Sequence, residues 1–166
     1  MKKLILVRHA KSDWGDTSVP DHDRSLNERG LRDAPEMGKR LVKNGIKPQQ
    51  ILASSASRAQ ETARLIAVEL DFSEGDILSE SRLYEAQVTD WLEVIGELDD
   101  RWTSVMCIGH NPGVSDLAAG VFGQPVTDVP TCAVLTLDFA ATYWNEVPAS
   151  MPAAADYDYQ KKKPKN

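Results

Sequence analysis

Apolar positions divide this chain into short unbroken runs and longer periodic stretches. Leu4 to Val7 is a continuous apolar run bounded by Arg8-His9, which predicts a buried strand. The polar stretch after it holds Gly15, Pro20 and several aspartates, and its length marks a loop of the kind that carries function. From Leu26-Asn27 onward, Leu31, Ala34, Met37, Leu41 and Val42 recur at helical spacing, and Asn44-Gly45 supplies the stop. Pro35 lies inside that helix, so its missing donor and bulky ring predict a kink or break near Ala34. Ile51 to Ala53 predicts a second strand. A helix from about Arg58 to Leu70 follows, with Ala59, Ala63, Ile66 and Leu70 inward and Ser57 with Gln60 as its capping box.

Ile77-Leu78 reads as a minor strand. Thr89 is the expected cap of a helix carrying Trp91, Leu92, Ile95 and Leu98, and Val105 to Ile108 is a further buried strand. Gly109-His110-Asn111-Pro112-Gly113 is then a turn, with Pro112 opening a helix to about Phe122. Ala133 to Phe139 alternates as a last strand, expected to pair with Tyr143 to Val147. Beyond Pro148 the periodicity gives way to alanine, proline, aspartate and lysine. Residues 1–147 are therefore expected to form one domain and residues 148–166 a loosely ordered tail. Strands alternating with helices predict an α/β fold, a three-layer α/β/α sandwich around a mostly parallel sheet. Ligands of such sheets gather beyond the carboxyl ends of the strands.

Charge and composition narrow the partners. A formal net charge of -6 argues against nucleic acid or an anionic membrane as partner, since both need an extended positive face. The four-residue run Leu4 to Val7 is too short for a signal-peptide core or a membrane span, so a cytoplasmic location is expected. Cys107 and Cys132 lack the spacing of a zinc site and sit in apolar runs, which predicts buried reduced thiols.

The chemistry lies at the strand exits. Arg8-His9 leaves the first predicted strand, Ser54 to Arg58 the second, and His110 the Val105 to Ile108 strand. Converging there, two arginines and two histidines supply the fixed charge and donors that a phosphate dianion or a phosphoryl transition state requires. Such a site needs neither a metal nor a cofactor. Taken singly, each residue could equally satisfy loop carbonyls; their joint placement is what points to a shared anion site.

Arg8-His9-Ala10, the segment Ser54-Ser55-Ala56-Ser57-Arg58-Ala59-Gln60-Glu61-Thr62-Ala63, and Gly109-His110-Asn111 together resemble the histidine phosphatase superfamily over about residues 3 to 140. Arg8 to Trp14, and Asp23-Arg24-Ser25-Leu26 leading to Arg29-Gly30, resemble the short bacterial phosphohistidine phosphatases of the SixA type. The resemblance implies a phosphoglycerate mutase-like fold and a metal-independent phosphatase. It makes His9 the nucleophile, with its other ring nitrogen held by a backbone carbonyl. Arg8 and Arg58 would clamp the phosphoryl oxygens, His110 would donate to them, and Arg24 would reach the same phosphate from the long loop unless it is simply solvated. Lys11 and Ser12 are weaker candidates. Ala10 departs from the glycine that many members carry after the Arg-His pair. Glu85, in Leu83-Tyr84-Glu85, matches the spacing of the proton donor in other branches; it is either a general acid with its pKa raised by burial or a solvated loop carboxylate.

The implied partner is a phosphorylated substrate, in particular a protein bearing phosphohistidine, acted on by a monomer. A small-molecule phosphomonoesterase or mutase, and a non-catalytic phosphate-binding module, are the alternatives. Asp21-His22-Asp23-Arg24-Ser25 superficially resembles the motif of aspartate phosphatases of the haloacid dehalogenase type. Thr17-Ser18-Val19-Pro20 precedes it where a hydrophobic strand should stand, which argues against that mechanism. No arginine stands six positions after either cysteine, as a cysteine phosphatase loop would require.

Overall fold

The computed structural model describes residues 1–162. Its centre is a six-stranded sheet in the order β3-β2-β4-β1-β5-β6. Strands β1 (Lys2–Arg8), β2 (Gln50–Ser54), β3 (Leu78–Glu80) and β4 (Ser104–Gly109) run parallel, while β5 (Val134–Phe139) is antiparallel to β1 and to β6 (Ala154–Asp158). Successive residues of a strand serve opposite faces. Leu4 and Leu6 of β1 join one core with Leu52, Val105, Cys107, Leu135 and Leu137, whereas Ile5 and Val7 join the other with Ile51, Ala53, Met106 and Ile108. A strand buried on both sides must be apolar at every position, which is why these strands read as unbroken runs rather than alternations.

Helices α1 (Glu28–Lys43) and α2 (Ser57–Glu69) cover the second of these faces. Helix α3 (Val88–Gly96) and the short α4 (Gly113–Asp116), which widens into a π-helical turn over Leu117–Val121, cover the first. The three-layer α/β/α architecture is the expected one. Met37 and Leu41 of α1 face the core, but Leu31 and Val42 are exposed, so the helical stripe is narrower than the apolar spacing suggested. Helix α1 also passes through Pro35 without a break.

Several boundaries differ from expectation. Helix α2 starts from Ala56 with no side-chain cap, and Gln60 donates instead to the carbonyls of Ser54 (2.8 Å) and Ala53 (3.3 Å), so the Ser57 and Gln60 capping box is not formed. Gln87, not Thr89, caps α3, and the Asp90 carboxylate accepts from its amide at 2.8 Å. Tyr143 to Val147 does not pair with β5. Trp144–Ala149 forms a 3₁₀ turn, fixed where the Trp144 indole donates to Trp102 O at 2.8 Å. The partner of β5 is β6, inside the stretch expected to be loosely ordered, with Val134 opposite Asp158 and Asp138 opposite Ala154. Arg40 of α1 ties the end of β6 down through Asp158 (3.1 Å) and the carbonyls of Tyr159 and Gln160 (both 2.8 Å). Residues 163–166 lie outside the described residues. Cys107 and Cys132 are buried free thiols, and burial pushes both up to about 12.

Candidate active site

Parallel pairing brings three strand ends to one edge of the sheet. Arg8 stands opposite Gly109, and Ala53 opposite Ile108, so Arg8-His9, Ser54 and Gly109-His110 leave the sheet side by side. The first turn of α2 adds Arg58. Arg8, His9, Arg58 and His110 line a cleft of about 190 Å³, whose walls also include Lys11, Ser12, Trp14, Asn111 and Thr131.

His9 is 7% exposed. Its amide donates to Gly109 O at 3.0 Å, and its Nδ1 lies 2.7 Å from the carbonyl oxygen of Ala10. A carbonyl can only accept, so Nδ1 carries the hydrogen and Nε2 keeps its lone pair. Ala10 is itself fixed, because its amide donates to Thr62 Oγ1 (3.0 Å) and that hydroxyl donates to Arg58 O (2.7 Å). The His110 ring stands 5.0 Å from the His9 ring, and its Nε2 is 2.7 Å from Ser54 Oγ. Ser54 Oγ also accepts from the Ala56 amide at 3.3 Å, which favours turning its own proton toward Nε2 of His110 and placing the ring hydrogen on Nδ1. That Nδ1 is buried and has no hydrogen-bond partner among the described residues.

Arg8 Nε is likewise buried and unpartnered, while its terminal nitrogen donates to Val129 O at 2.8 Å. The Arg58 guanidinium is gripped by Asp21, through the carbonyl at 2.7 Å and the carboxylate at 3.1 Å. Tyr84 donates its hydroxyl to the same carboxylate at 2.6 Å. That hydrogen bond, helped by Arg58, holds the Asp21 carboxyl below the usual range, and in return Asp21 pushes Tyr84 up to about 12.

Two glycines bring the loops this close. A Cβ on Gly109 would run into the Trp91 ring, and one on Gly30 into the carbonyl of Lys11, at the cleft wall. Arg24 is not part of the wall. It lies one layer behind it, buried, with its guanidinium stacked 4.2 Å from the centre of the Trp14 ring and one nitrogen bonded to Asp16 O at 3.0 Å. Glu85 is exposed, at a backbone φ of 53° on the turn after Leu83, and is not among the residues lining the cleft. The solvated-carboxylate geometry is therefore the one observed. Asp21, Ser54, Thr62 and Tyr84 orient the cleft residues and were not singled out by role in the sequence. Their contacts span 37 to 63 residues for Asp21 and 56 for Ser54, so no local spacing reveals them.

Burial, then the charges of Arg58 and Arg8, pushes His9 down to about 4, against the opposing pull of the Ala10 carbonyl and Asp21. Burial, followed by His9 and Arg58, pushes His110 down to about 3. Both rings are neutral near pH 7. Because the folded values lie below the unfolded reference of about 6.5, their contribution to stability is present above that pH and is lost as pH falls toward 4. We expect the ring carbon protons of His9 and His110 to show no NMR titration above about pH 5, with Tm declining between pH 6.5 and 4. A titration midpoint near 6.5 for either ring would contradict the buried, cation-flanked setting.

The fold and the cleft define a class: an α/β protein with a histidine-bearing cationic cleft at the carboxyl edge of its sheet. The chain belongs to the histidine phosphatase superfamily (branch 1), whose family model matches residues 4–112. An uncharacterized chloroplastic protein of Arabidopsis thaliana is 31% identical over 153 residues, covering 87% of this chain and 70% of the relative. A solved structure assigned as the phosphohistidine phosphatase SixA of Agrobacterium tumefaciens superposes with a TM-score of 0.80 at 24% identity, covering 96% of this chain and 98% of that one. A protein histidine phosphatase SixA complexed with tungstate superposes with a TM-score of 0.77 at 18% identity, over 92% and 95% of the two chains. The last two share the phosphoglycerate mutase-like fold.

Proposed function

We propose that this chain is a metal-independent protein phosphohistidine phosphatase in which His9 takes the phosphoryl group and passes it to water. One observation carries the reading: the lone pair of His9 Nε2 is free in a cleft beside two buried, unpartnered nitrogens, Arg8 Nε and His110 Nδ1. A protein seldom leaves buried donors unpaired without a ligand to receive them, and a phosphoryl group offers several acceptor oxygens. The neutral His9 ring attacks phosphorus in line, and the bond to the leaving group breaks with its electron pair departing on that group. Arg8, Arg58 and His110 stabilise the charge spread over the phosphoryl oxygens, so no metal is needed for that task. Water then attacks the phosphohistidine, releasing inorganic phosphate and restoring His9. In this scheme Arg24, stacked behind Trp14, supports that ring and does not bind the phosphate directly. Tungstate in a structurally similar phosphatase is an oxyanion of the kind this cleft would accept. The reduced state of buried Cys107 and Cys132 is in keeping with action in the cytoplasm, on a phosphorylated partner protein, as a monomer.

The deciding experiment is a turnover panel run in EDTA, comparing a phosphohistidine protein, phosphoramidate, sugar phosphates and phosphoglycerates. The highest kcat/KM is expected on the phosphohistidine protein. A preference for a phosphoglycerate or sugar phosphate would make the chain a small-molecule phosphomonoesterase, tight binding without turnover would make it a binding module, and activity restored only by Mg²⁺ would overturn the metal-free scheme.

Glu85 has little to do in this scheme. Imidazole departs with a conjugate-acid pKa of about 6.5, so solvent supplies the proton near neutral pH. Glu85→Gln is expected to change kcat/KM by less than about threefold on phosphohistidine and on alkyl phosphates alike, since an exposed carboxylate outside the cleft makes no contact there. A loss of about 10²-fold confined to alkyl esters would restore Glu85 as a general acid.

A further inference from the structure

Trp14 is 58% exposed, although it borders the cleft that holds His9 and Arg58. An indole left this far in water at the mouth of a polar cleft is unusual, because large aromatic side chains are normally well buried. The ring is held in place all the same. Arg24, only 8% exposed, lies under it with its guanidinium carbon 4.2 Å from the ring centre, and is anchored in turn on the Asp16 carbonyl. One face of the indole is thus fixed on a cation, while the exposed area belongs to the rest of the ring.

The direction of the reaction gives that surface an occupant. His9 lies on the floor of the cleft, 7% exposed, and in-line attack by its Nε2 sends the leaving group away from the floor, toward the mouth. Trp14 is among the residues lining that cleft, so its exposed ring lies within reach of a group leaving through it. We propose that Trp14 is a specificity-determining residue that stacks on a planar, heteroaromatic leaving group and so selects phosphohistidine over phosphorylated groups without a ring. This rests on the phosphohistidine reading above and names the residue that enforces it.

The chemistry of departure strengthens the fit. As Nε2 of His9 forms its bond to phosphorus, the substrate P–N bond breaks with its electron pair on the ring nitrogen, which takes a proton from solvent. The departing ring leaves as neutral imidazole, a flat heteroaromatic face that stacks on the indole. A ring already oriented by Arg24 gives up little freedom on stacking. Phosphoramidate shares the P–N bond but leaves as ammonia, which presents no face to stack.

The test compares wild type, Trp14→Ala and Trp14→Phe on a phosphohistidine peptide and on phosphoramidate. Trp14→Ala is expected to lower kcat/KM on the peptide by roughly three- to tenfold, the range of one aromatic stack, while leaving phosphoramidate within about twofold; Trp14→Phe keeps most of the preference. Equal losses on both substrates would mean that Trp14 acts only by covering Arg24, and no loss on either would mean that it does not touch the leaving group; each overturns the proposal. Should wild type fail on phosphohistidine, the functional reading falls, and phenyl phosphate against methyl phosphate then poses the same question. A Trp14→Ala loss confined to phenyl phosphate supports the stacking role, and its absence overturns it.

Discussion

Replacing His9 by alanine is expected to lower kcat/KM by on the order of 10⁴-fold or more, since the proposed scheme puts the phosphoryl group on its Nε2, whose lone pair is left free by the Nδ1 bond to Ala10. The fold should persist, because the ring bonds only locally, to the neighbouring Ala10 carbonyl among the described residues, while the strand ladder around Arg8 and Gly109 is made of backbone. Wild type quenched during turnover should carry labelled phosphate that is lost in acid and kept in alkali, as an N-phosphoryl bond requires. The His9→Ala protein should carry none. Undiminished activity in that variant, or an acid-stable adduct, would remove His9 from the role of nucleophile.

Arg58→Ala should lower kcat by more than the roughly 10²- to 10³-fold that the loss of a single charge-stabilising donor costs. The reason is Asp21. Without Arg58, its carboxylate keeps only the Tyr84 hydroxyl and becomes an uncompensated negative charge beside an anionic substrate. Adding Asp21→Asn to Arg58→Ala should therefore recover part of the loss. Arg58→Lys should not, because an ammonium cannot hold the Asp21 carbonyl and carboxylate and still present planar donors to phosphate. A loss under tenfold, or near wild-type activity with lysine, would mean that Arg58 only secures the loop around Asp21.

The central strands were legible because the sheet buries both faces of Leu4 to Val7 and Val105 to Ile108, which leaves no polar position to blur the signal. Edge strand β6 was not. Ala154-Ala155-Asp156-Tyr157-Asp158 has the composition of a surface loop, and only its pairing with β5 and the hold of Arg40 make it a strand. The caps went astray for a related reason. Ser57 and Thr89 carry the usual capping side chains, yet the turns leaving β2 and Leu83 set the first helical residues elsewhere, at positions fixed by tertiary contact.

The site divides along the same line. Arg8, His9, Arg58 and His110 follow strand ends, and a parallel sheet forces such positions together, so their meeting could be expected from topology. Asp21 and Ser54 act on them through single side-chain hydrogen bonds across long stretches of chain, and Thr62 links Arg58, one helical turn away, to the distant Ala10 beside His9. Thr62 lies within the segment that carried the family resemblance, and its role became visible only as the hydroxyl linking Ala10 to Arg58. Glu85 is the opposite case, left open by the sequence between a general acid and a solvated carboxylate. Its spacing suggested an acid, but the left-handed turn leaves it in solvent.

The direction of β6 governs how this protein can be handled at a surface. Two antiparallel reversals return β6 to the direction of β1, with Asp158 level with Val134 and Val134 level with Val7, so the chain leaves the sheet on the cleft side, about 10 Å across from the nucleophile's strand. Lys2 begins β1 at the far edge, roughly 20 Å away along the strand. A biosensor chip or affinity resin grafted at Met1 would present the cleft mouth to the bulk, whereas a graft at the exposed Lys161 would turn it toward the support and screen out large ligands before small ones.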